Sequence, residues 1–125
     1  MLEDVDNDGR YDKSTLFAHH LSWPTGVICY DGGVFVAAAP DIWYLKDTNG
    51  DGQADLKRKV FTGFGRGNVQ GLLNSFCWGL DNRIYCQASS SGGSITTPDA
   101  PNPCKCANSA ELRSIRAFRN RRRRI

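Results

Sequence analysis

The sequence predicts an all-β fold built from a repeated unit. Two acidic loops of the form D-x-[DN]-x-D-G-x-x-D occupy residues 4–12 and 47–55, and they are 43 residues apart. Short segments rich in β-branched and aromatic residues lie between and after the loops, with turn signals about every 8 to 12 residues. No segment has the convincing period of an amphipathic helix. A loop that returns at this interval predicts a repeat architecture.

The elements follow in order from the first loop. A short apolar element is expected over residues 14–21, and Trp23 and Pro24 end it. Asp31 and two glycines then predict a hairpin turn between the first two of five strand segments. A second hairpin is expected around Asp81 and Asn82. The five segments are residues 27–30, 34–39, 42–46, 76–80 and 83–86, and residues 57–61 lead out of the second acidic loop.

Five cysteines form no CxxC, no CxxCH and no zinc spacing with the two histidines, so neither a zinc nor a haem site is encoded. A two-residue turn at Asp81–Asn82 would place Cys77 directly opposite Cys86. In that register a cross-strand disulfide is feasible and would indicate an oxidising compartment. The alternative is a pair of buried free thiols.

The charge is divided between a mildly acidic body and a basic end. Eight of the 16 basic residues but only one of the 13 acidic ones lie from Lys105 onward, which leaves residues 1–104 with a net charge of −4. The arginines are not interleaved with aromatic residues in a binding pattern, so nucleic acid is not expected as a partner. No apolar run approaches the roughly 20 residues of a transmembrane segment, and no export signal is expected in this chain.

The acidic loops carry the chemistry of a calcium site. Carboxylate or amide oxygens stand at loop positions 1, 3 and 5, glycine at position 6, a main-chain carbonyl at position 7 and a further Asp at position 9. The EF-hand glutamate at position 12 is absent, so these are not EF-hands. The alternative is a turn in which Asp and Asn only cap local amides, although three carboxylates within five residues repel one another unless a cation is bound. The predicted metal-binding residues are Asp4, Asp6, Asp8, Arg10 and Asp12 in the first loop and Asp47, Asn49, Asp51, Gln53 and Asp55 in the second.

Five stretches resemble a family of bacterial secreted β-propellers that is related to the sorbosone and soluble glucose dehydrogenases. Members of this family are described as membrane-bound dehydrogenases and are frequently joined to a haem-binding segment. The stretches cover much of residues 1–95. In order along the chain they are Leu2–Thr15, Trp23–Val27, Ala38–Gly52, Phe61–Gly65 and Trp78–Tyr85. Members typically have a His after the Gln that precedes the WGxD motif, whereas here Gln70 is followed by Gly71.

The resemblance implies a partial β-propeller, about one and a half to two blades of a six-bladed ring, in residues 1–95. Residues 96–125 are expected to form a Pro-rich and then Arg-rich disordered basic tail. The resemblance implies that full-length relatives are periplasmic or extracellular enzymes that use a quinone cofactor and calcium to oxidise a sugar or polyol, and that a c-type cytochrome segment with haem c is joined to them. The residues of this chain do not themselves support a quinone or haem c site. The catalytic and cofactor-binding residues stay unknown.

Two functions are therefore expected. The first is a fragment of a quinoprotein-type dehydrogenase-like propeller with structural calcium loops, which would be inactive alone. The alternative is a non-enzymatic, calcium-stabilised binding or adhesion module.

Overall fold

The computed structural model describes residues 1–88, 90–98, 104–106 and 113–115, the last two ranges through their backbone alone. The described chain is all-β, as the sequence predicts, and its one helical segment is a 3-10 turn at Val69–Gly71. The strands are β1 (Leu2–Glu3), β2 (Lys13–Ser14), β3 (Gly26–Tyr30), β4 (Gly33–Ala38), β5 (Asp41–Lys46), β6 (Leu56–Phe64), β7 (Asn74–Trp78), β8 (Ile84–Gln87), β9 (Gly93–Thr96), β10 (Cys104–Cys106) and β11 (Arg113–Ile115).

The strands form three antiparallel sheets. β1 and β2 form a two-stranded ribbon, a six-stranded sheet has the order β10-β9-β6-β5-β4-β3, and a three-stranded sheet has the order β11-β8-β7. In the part of the chain that is described, none of these sheets closes on itself. The four successive strands β3 to β6 make an antiparallel meander, which is the arrangement of one propeller blade. The fold is therefore consistent with part of a propeller.

The first predicted hairpin, β3–β4, is confirmed. Tyr30 pairs with Gly33, and the two residues between them, Asp31 and Gly32, have φ values of 47° and 72°. Two successive left-handed residues define a type I′ turn, whose twist matches that of the strands it joins. Asp and Gly are the residues that adopt this conformation most readily, which is why the sequence predicted the turn correctly.

The predicted register of the second hairpin, β7–β8, is wrong. Cys77 pairs with Tyr85 and not with Cys86, and Trp78 pairs with Ile84. The turn contains an additional residue, because the Gly79 amide bonds the Arg83 carbonyl (2.8 Å) and Asn82 has a left-handed φ of 62°. One residue of slip moves side chains to the other face. Cys77 is consequently exposed and Cys86 buried, so the expected cross-strand disulfide does not fit this register.

The two faces of the β3–β6 meander carry separate cores. The first core cluster joins this meander to the sheet of β7 and β8, and its buried members include Phe35, Ile42, Leu73, Ile84 and Cys86. The second core cluster lies on the opposite face. It consists of the buried residues Val36, Ala38 and Leu45, with Phe17, Ala18, Leu21, Val34, Trp43 and Ala54 packed against them.

Strand β9 crosses the predicted boundary between residues 95 and 96. It pairs with β6 through Thr62↔Thr96 and Phe64↔Gly93, so the serine- and glycine-rich segment before it leads into the sheet. Most of the predicted basic tail lies outside the described residues. Within it, β10 pairs with β9 and β11 pairs with β8.

Candidate metal centre

Each acidic loop connects two paired antiparallel strands, and the two loops are held in the same register. Loop one, residues 4–12, connects β1 to β2, where Glu3 pairs with Lys13. Loop two, residues 47–55, connects β5 to β6, where Lys46 pairs with Leu56. Both members of the second pair lie 43 positions after those of the first. The sequence repeat is therefore a repeat of structure.

Loop one is organised by its own carboxylates, which accept hydrogen bonds from main-chain amides. Asp4 Oδ2 accepts from the Gly9 amide (3.0 Å), Asp6 Oδ1 from the Asp8 amide (3.2 Å) and Asp8 Oδ1 from the Arg10 amide (2.8 Å). These bonds wind the chain around a centre toward which the side chains at positions 1, 3 and 5 are directed.

Loop two repeats the same bonds at the equivalent positions. Asp47 Oδ2 accepts from the Gly52 amide (2.8 Å), Asn49 Oδ1 from the Asp51 amide (2.9 Å) and Asp51 Oδ1 from the Gln53 amide (2.8 Å). Asp47 Oδ1 also accepts from the amides of Asn49 (3.0 Å) and Gly50 (2.6 Å). Asn49 can take the place of Asp6 because its amide oxygen is an equivalent acceptor.

The backbone conformations repeat as well. Position 4 of the loop has a left-handed φ in both copies, 61° at Asn7 and 83° at Gly50. Position 6 is left-handed too, at Gly9 (88°) and Gly52 (83°). Asn and Gly are the residues that tolerate this region best. The Asn at position 4 of one copy and the Gly at position 4 of the other are a signal that sequence reasoning overlooked.

Loop one brings three carboxylates to one point. One oxygen from each of Asp4, Asp6 and Asp8 lies within 4.8 Å of the other two. In addition, Asp4 Oδ1 is shielded from solvent and has no hydrogen-bond partner among the described residues. A buried carboxylate oxygen without a partner is costly, and three converging negative charges add repulsion. A cation at this point would relieve both.

Hydrogen bonds in loop two lower the pKa of two of its carboxyl groups. Amide donation from Gly50 and Gly52 lowers the pKa of Asp47 below its ordinary value. The Thr48 hydroxyl and amide likewise lower the pKa of Asp55. A lowered pKa keeps a carboxylate ionised, and hard divalent cations bind the ionised form.

Asp12 and Asp55, both predicted as ligands at position 9, are engaged in closing their loops. Asp12 Oδ2 accepts from the Val5 amide (3.1 Å). Asp55 Oδ1 accepts from the Thr48 amide (2.8 Å), and its Oδ2 from the Thr48 hydroxyl (2.5 Å). The position-9 carboxylate thus fastens the end of the loop to position 2. Sequence reasoning missed the contribution of Thr48.

The remaining predicted ligands fall into two groups, those that contribute a side chain and those predicted to contribute a main-chain carbonyl. Asp4, Asp6 and Asp8 converge, and Asp47, Asn49 and Asp51 take the equivalent positions in loop two. Arg10 and Gln53 enter the bonds described above through their amides. Metal binding by their carbonyl oxygens stays a prediction.

A separate shallow cavity of about 300 Å³ lies away from the acidic loops. Its lining contains one charged side chain, Arg66, and one exposed aromatic ring, Trp23. The rest of the lining is Ser22, Ala39, Val69 and Leu72. These residues include no carboxylate and no histidine, so the cavity offers no general base of the usual kind.

The fold and the loops define an all-β repeat protein with two candidate cation loops, each of which connects two paired antiparallel strands. Residues 1–121 match a family model described as a domain of unknown function, DUF7133, and the chain belongs to this family. Neither a curated protein nor a solved structure matches the chain significantly. Among the residues described, no helix is long and apolar enough to cross a membrane.

Proposed function

We propose that both acidic loops bind Ca²⁺ and that the ion has a structural role, holding together the ends of a dehydrogenase-like propeller repeat. The observation that carries this proposal is the convergence of Asp4, Asp6 and Asp8 around a buried carboxylate oxygen without a partner. The recurrence of the same hydrogen bonds in loop two extends the proposal to the second site.

The donor set favours calcium over other common metals. The loops offer carboxylate, amide and main-chain oxygens and no sulfur or imidazole, which excludes the preferred ligands of zinc and copper. Magnesium requires a stricter octahedral geometry and keeps more of its water. Because Asn49 replaces the carboxylate of Asp6, loop two has one negative charge fewer among positions 1, 3 and 5. We therefore expect loop two to bind calcium more weakly than loop one.

A cation at these positions would stabilise the repeat without entering a reaction. Each loop connects two strands, and loop two also bonds the preceding segment, because the Ala54 amide donates to the Phe17 carbonyl (2.7 Å). Phe17 and Ala54 pack on the second core cluster. Ordering loop two would therefore fix how residues 17–21 cover that cluster.

For the enzymatic part of the proposal, the support is the sequence resemblance. We propose that this chain contributes to a propeller that oxidises a sugar or polyol with a bound quinone and passes electrons to a c-type haem, in the periplasm or outside the cell. The resemblance covers only about one and a half to two blades of a six-bladed ring, so we expect residues 1–125 alone to show no turnover.

Isothermal titration with Ca²⁺ tests the metal sites. We expect two saturable sites, and we expect Asp8→Asn to weaken one of them and Asp51→Asn the other. Each substitution removes a charge and keeps an oxygen that can accept the local amide. Asp51→Asn also loses the bond that Asp51 Oδ2 accepts from the Asn49 side chain (3.3 Å). The affinity should fall about tenfold or more, which corresponds to about 1.4 kcal/mol. Asp31→Asn is the matched control, because Asp31 is an exposed turn acid outside both loops. Unchanged heat in both loop variants would refute the assignment.

The enzymatic proposal has its own test. The purified chain, saturated with calcium, is mixed with a quinone cofactor, candidate sugars and an electron-accepting dye, and dye reduction is followed. No reduction is expected. Measurable oxidation would show that these residues already contain a complete active site, contrary to the proposal.

A further inference from the structure

The two acidic loops are connected through the base of the ribbon that carries loop one. β1 and β2 form a sheet of their own, and the Thr15 amide donates to the Met1 carbonyl (2.8 Å) at the end of this ribbon opposite loop one. Gly52 of loop two lies against the same end. A Cβ atom placed on Gly52 would be 3.2 Å from Thr15 Cγ2 and 3.6 Å from Met1 Cε. One end of the ribbon therefore carries loop one, and the other end contacts loop two.

This contact reaches the candidate metal site of loop two. The Gly52 amide donates to Asp47 Oδ2 (2.8 Å), which belongs to the carboxylate at loop position 1. Two residues later, the Ala54 amide donates to the Phe17 carbonyl (2.7 Å). Gln53, the predicted carbonyl ligand, lies between these two points in the sequence. The segment that leaves the ribbon after β2 therefore contacts loop two on both sides of a predicted ligand.

The ribbon has little stability of its own. β1 and β2 contain two residues each, and a two-stranded ribbon is only marginally stable in water. A cation bound in loop one would hold together the adjoining ends of both strands, and it would thereby order the ribbon as far as Thr15. Loop two would then bind its own ion against a surface that is already ordered, so that less conformational entropy would be lost on binding.

We propose that the two loops bind calcium cooperatively, an inference that rests on the calcium binding proposed above. An ion in loop one raises the affinity of loop two through the contacts of Thr15 with Gly52 and of Phe17 with Ala54. By linkage, an ion in loop two raises the affinity of loop one by the same factor. Direct repulsion between the two ions would act in the opposite direction, so a gain in affinity reports the ordered contacts.

Calcium titration of the isotope-labelled full chain, followed by NMR, measures each loop separately. The Gly9 amide reports on loop one and the Gly52 amide on loop two, because each is hydrogen-bonded to the position-1 carboxylate of its own loop. The parent is compared with the double variant Asp6→Asn/Asp8→Asn, at calcium concentrations that leave the Gly9 amide of the variant unshifted. We expect the affinity of loop two to be about fivefold or more lower in the variant.

The double variant is matched to the calcium-filled parent in charge and in local structure. Its asparagines keep oxygens that can accept the amides of residues 8 and 10. The variant loses two negative charges, and one Ca²⁺ ion in the parent adds two positive ones, so the net charge near loop two is the same. Equal affinity of loop two in the two proteins would overturn the coupling and leave the proposed calcium binding intact. A parent in which neither glycine amide responds to calcium would overturn both.

A second variant tests the contact itself without changing any charge. Thr15→Ala removes the methyl group that lies against Gly52, and Thr15 is outside both loops. The loss of loop two affinity caused by Asp6→Asn/Asp8→Asn should therefore be smaller in the Thr15→Ala background. Ser14→Ala is the matched control, because Ser14 is the neighbouring exposed residue on β2 and should leave that loss unchanged. The same loss in both backgrounds would overturn the coupling through Thr15.

Discussion

Alanine substitution of the glycines at the end of β6 should separate two causes of destabilisation. One is the collision of the new Cβ atom with a neighbouring strand or turn, and the other is the cost of a left-handed φ. A Cβ atom on Gly63 would collide with the Ser94 carbonyl oxygen, and Gly63 also has a left-handed φ of 96°. A Cβ on Gly65 would collide with the Ser91 carbonyl oxygen, but its φ is not positive. These close approaches hold β6 against β9 and the turn before it.

Two other glycines complete the comparison. A Cβ atom on Gly50 meets nothing within 4 Å, although its φ is 83°. A Cβ on Gly67 also meets nothing within 4 Å, and its φ is not positive. Gly50→Ala therefore measures the cost of a left-handed φ alone, and Gly65→Ala measures the cost of the collision alone. Gly63→Ala combines both costs, and Gly67→Ala has neither.

The expected costs follow from this division. Forcing a side chain into occupied space costs about 1–3 kcal/mol, and a left-handed alanine costs about 1–2 kcal/mol. Gly63→Ala should therefore destabilise by about 2–5 kcal/mol and Gly65→Ala by about 1–3 kcal/mol. Gly50→Ala should cost about 1–2 kcal/mol. Gly67→Ala should stay within about 0.5 kcal/mol of the parent.

Urea unfolding followed by tryptophan fluorescence, with calcium removed by a chelator, measures all four. For a chain of 125 residues, about 1 kcal/mol shifts the melting temperature by roughly 4 °C, so heating provides a second readout. If Gly63→Ala and Gly65→Ala are as stable as Gly67→Ala, residues 91–94 do not approach the end of β6 as closely as described. The segment would then be the flexible connection that its serines and glycines suggest.

Two further predictions concern carboxylates. The pKa of Asp47 lies below its ordinary 3.8, so its stabilising contribution is complete above that value and is lost as pH falls through the lower folded value. As the pH falls below about 4, the free energy of unfolding in urea should therefore decrease less for Asp47→Asn than for the parent, and identical pH curves for the two proteins would contradict this. Asp41, 8% exposed, bonds Thr62 Oγ1 (2.5 Å) and pairs with Lys59 (3.0 Å), so Asp41→Ala should cost about 1–3 kcal/mol in the same assay. Glu3→Ala, which breaks an exposed pair with Lys13, should cost less than about 1 kcal/mol, and equal costs would refute the role given to burial.

The β3–β4 hairpin could be predicted from the sequence because its signals are local. Asp31 and Gly32 adopt the left-handed conformations that their side chains favour, and each strand of the hairpin is rich in β-branched or aromatic residues. The pairing of β9 with β6 could not be predicted in this way. Serines and glycines over residues 89–94 have the composition of a linker, yet Gly93 is required where it approaches Gly63 and Phe64. The sequence alone does not distinguish a glycine that is needed for close approach from one that is needed for flexibility.

The acidic loops, too, could be predicted from the sequence only in part. The spacing of Asp and Asn correctly indicated which side chains converge in loop one, because alternate positions of a tight loop point to its centre. It did not show that the Asp at position 9 also fastens the end of the loop to position 2. Asp8 and Asp12 have the same chemistry, and only the fold directs Asp12 to the Val5 amide.

The register of β7–β8 differs from the predicted one because of the hydrogen bonds that Asp81 accepts in the turn. Asp81 accepts from the Arg83 amide (3.3 Å), from the Tyr85 hydroxyl (3.0 Å) and from the Arg83 side chain (3.2 Å). These bonds favour a wider turn in which Asn82 alone is left-handed, whereas Asp31 and Gly32 are both left-handed. The wider turn places Ile84 and Cys86 in the first core cluster and leaves Cys77 outside. Cys77 is therefore exposed because the hydrogen bonds that Asp81 accepts favour this wider turn.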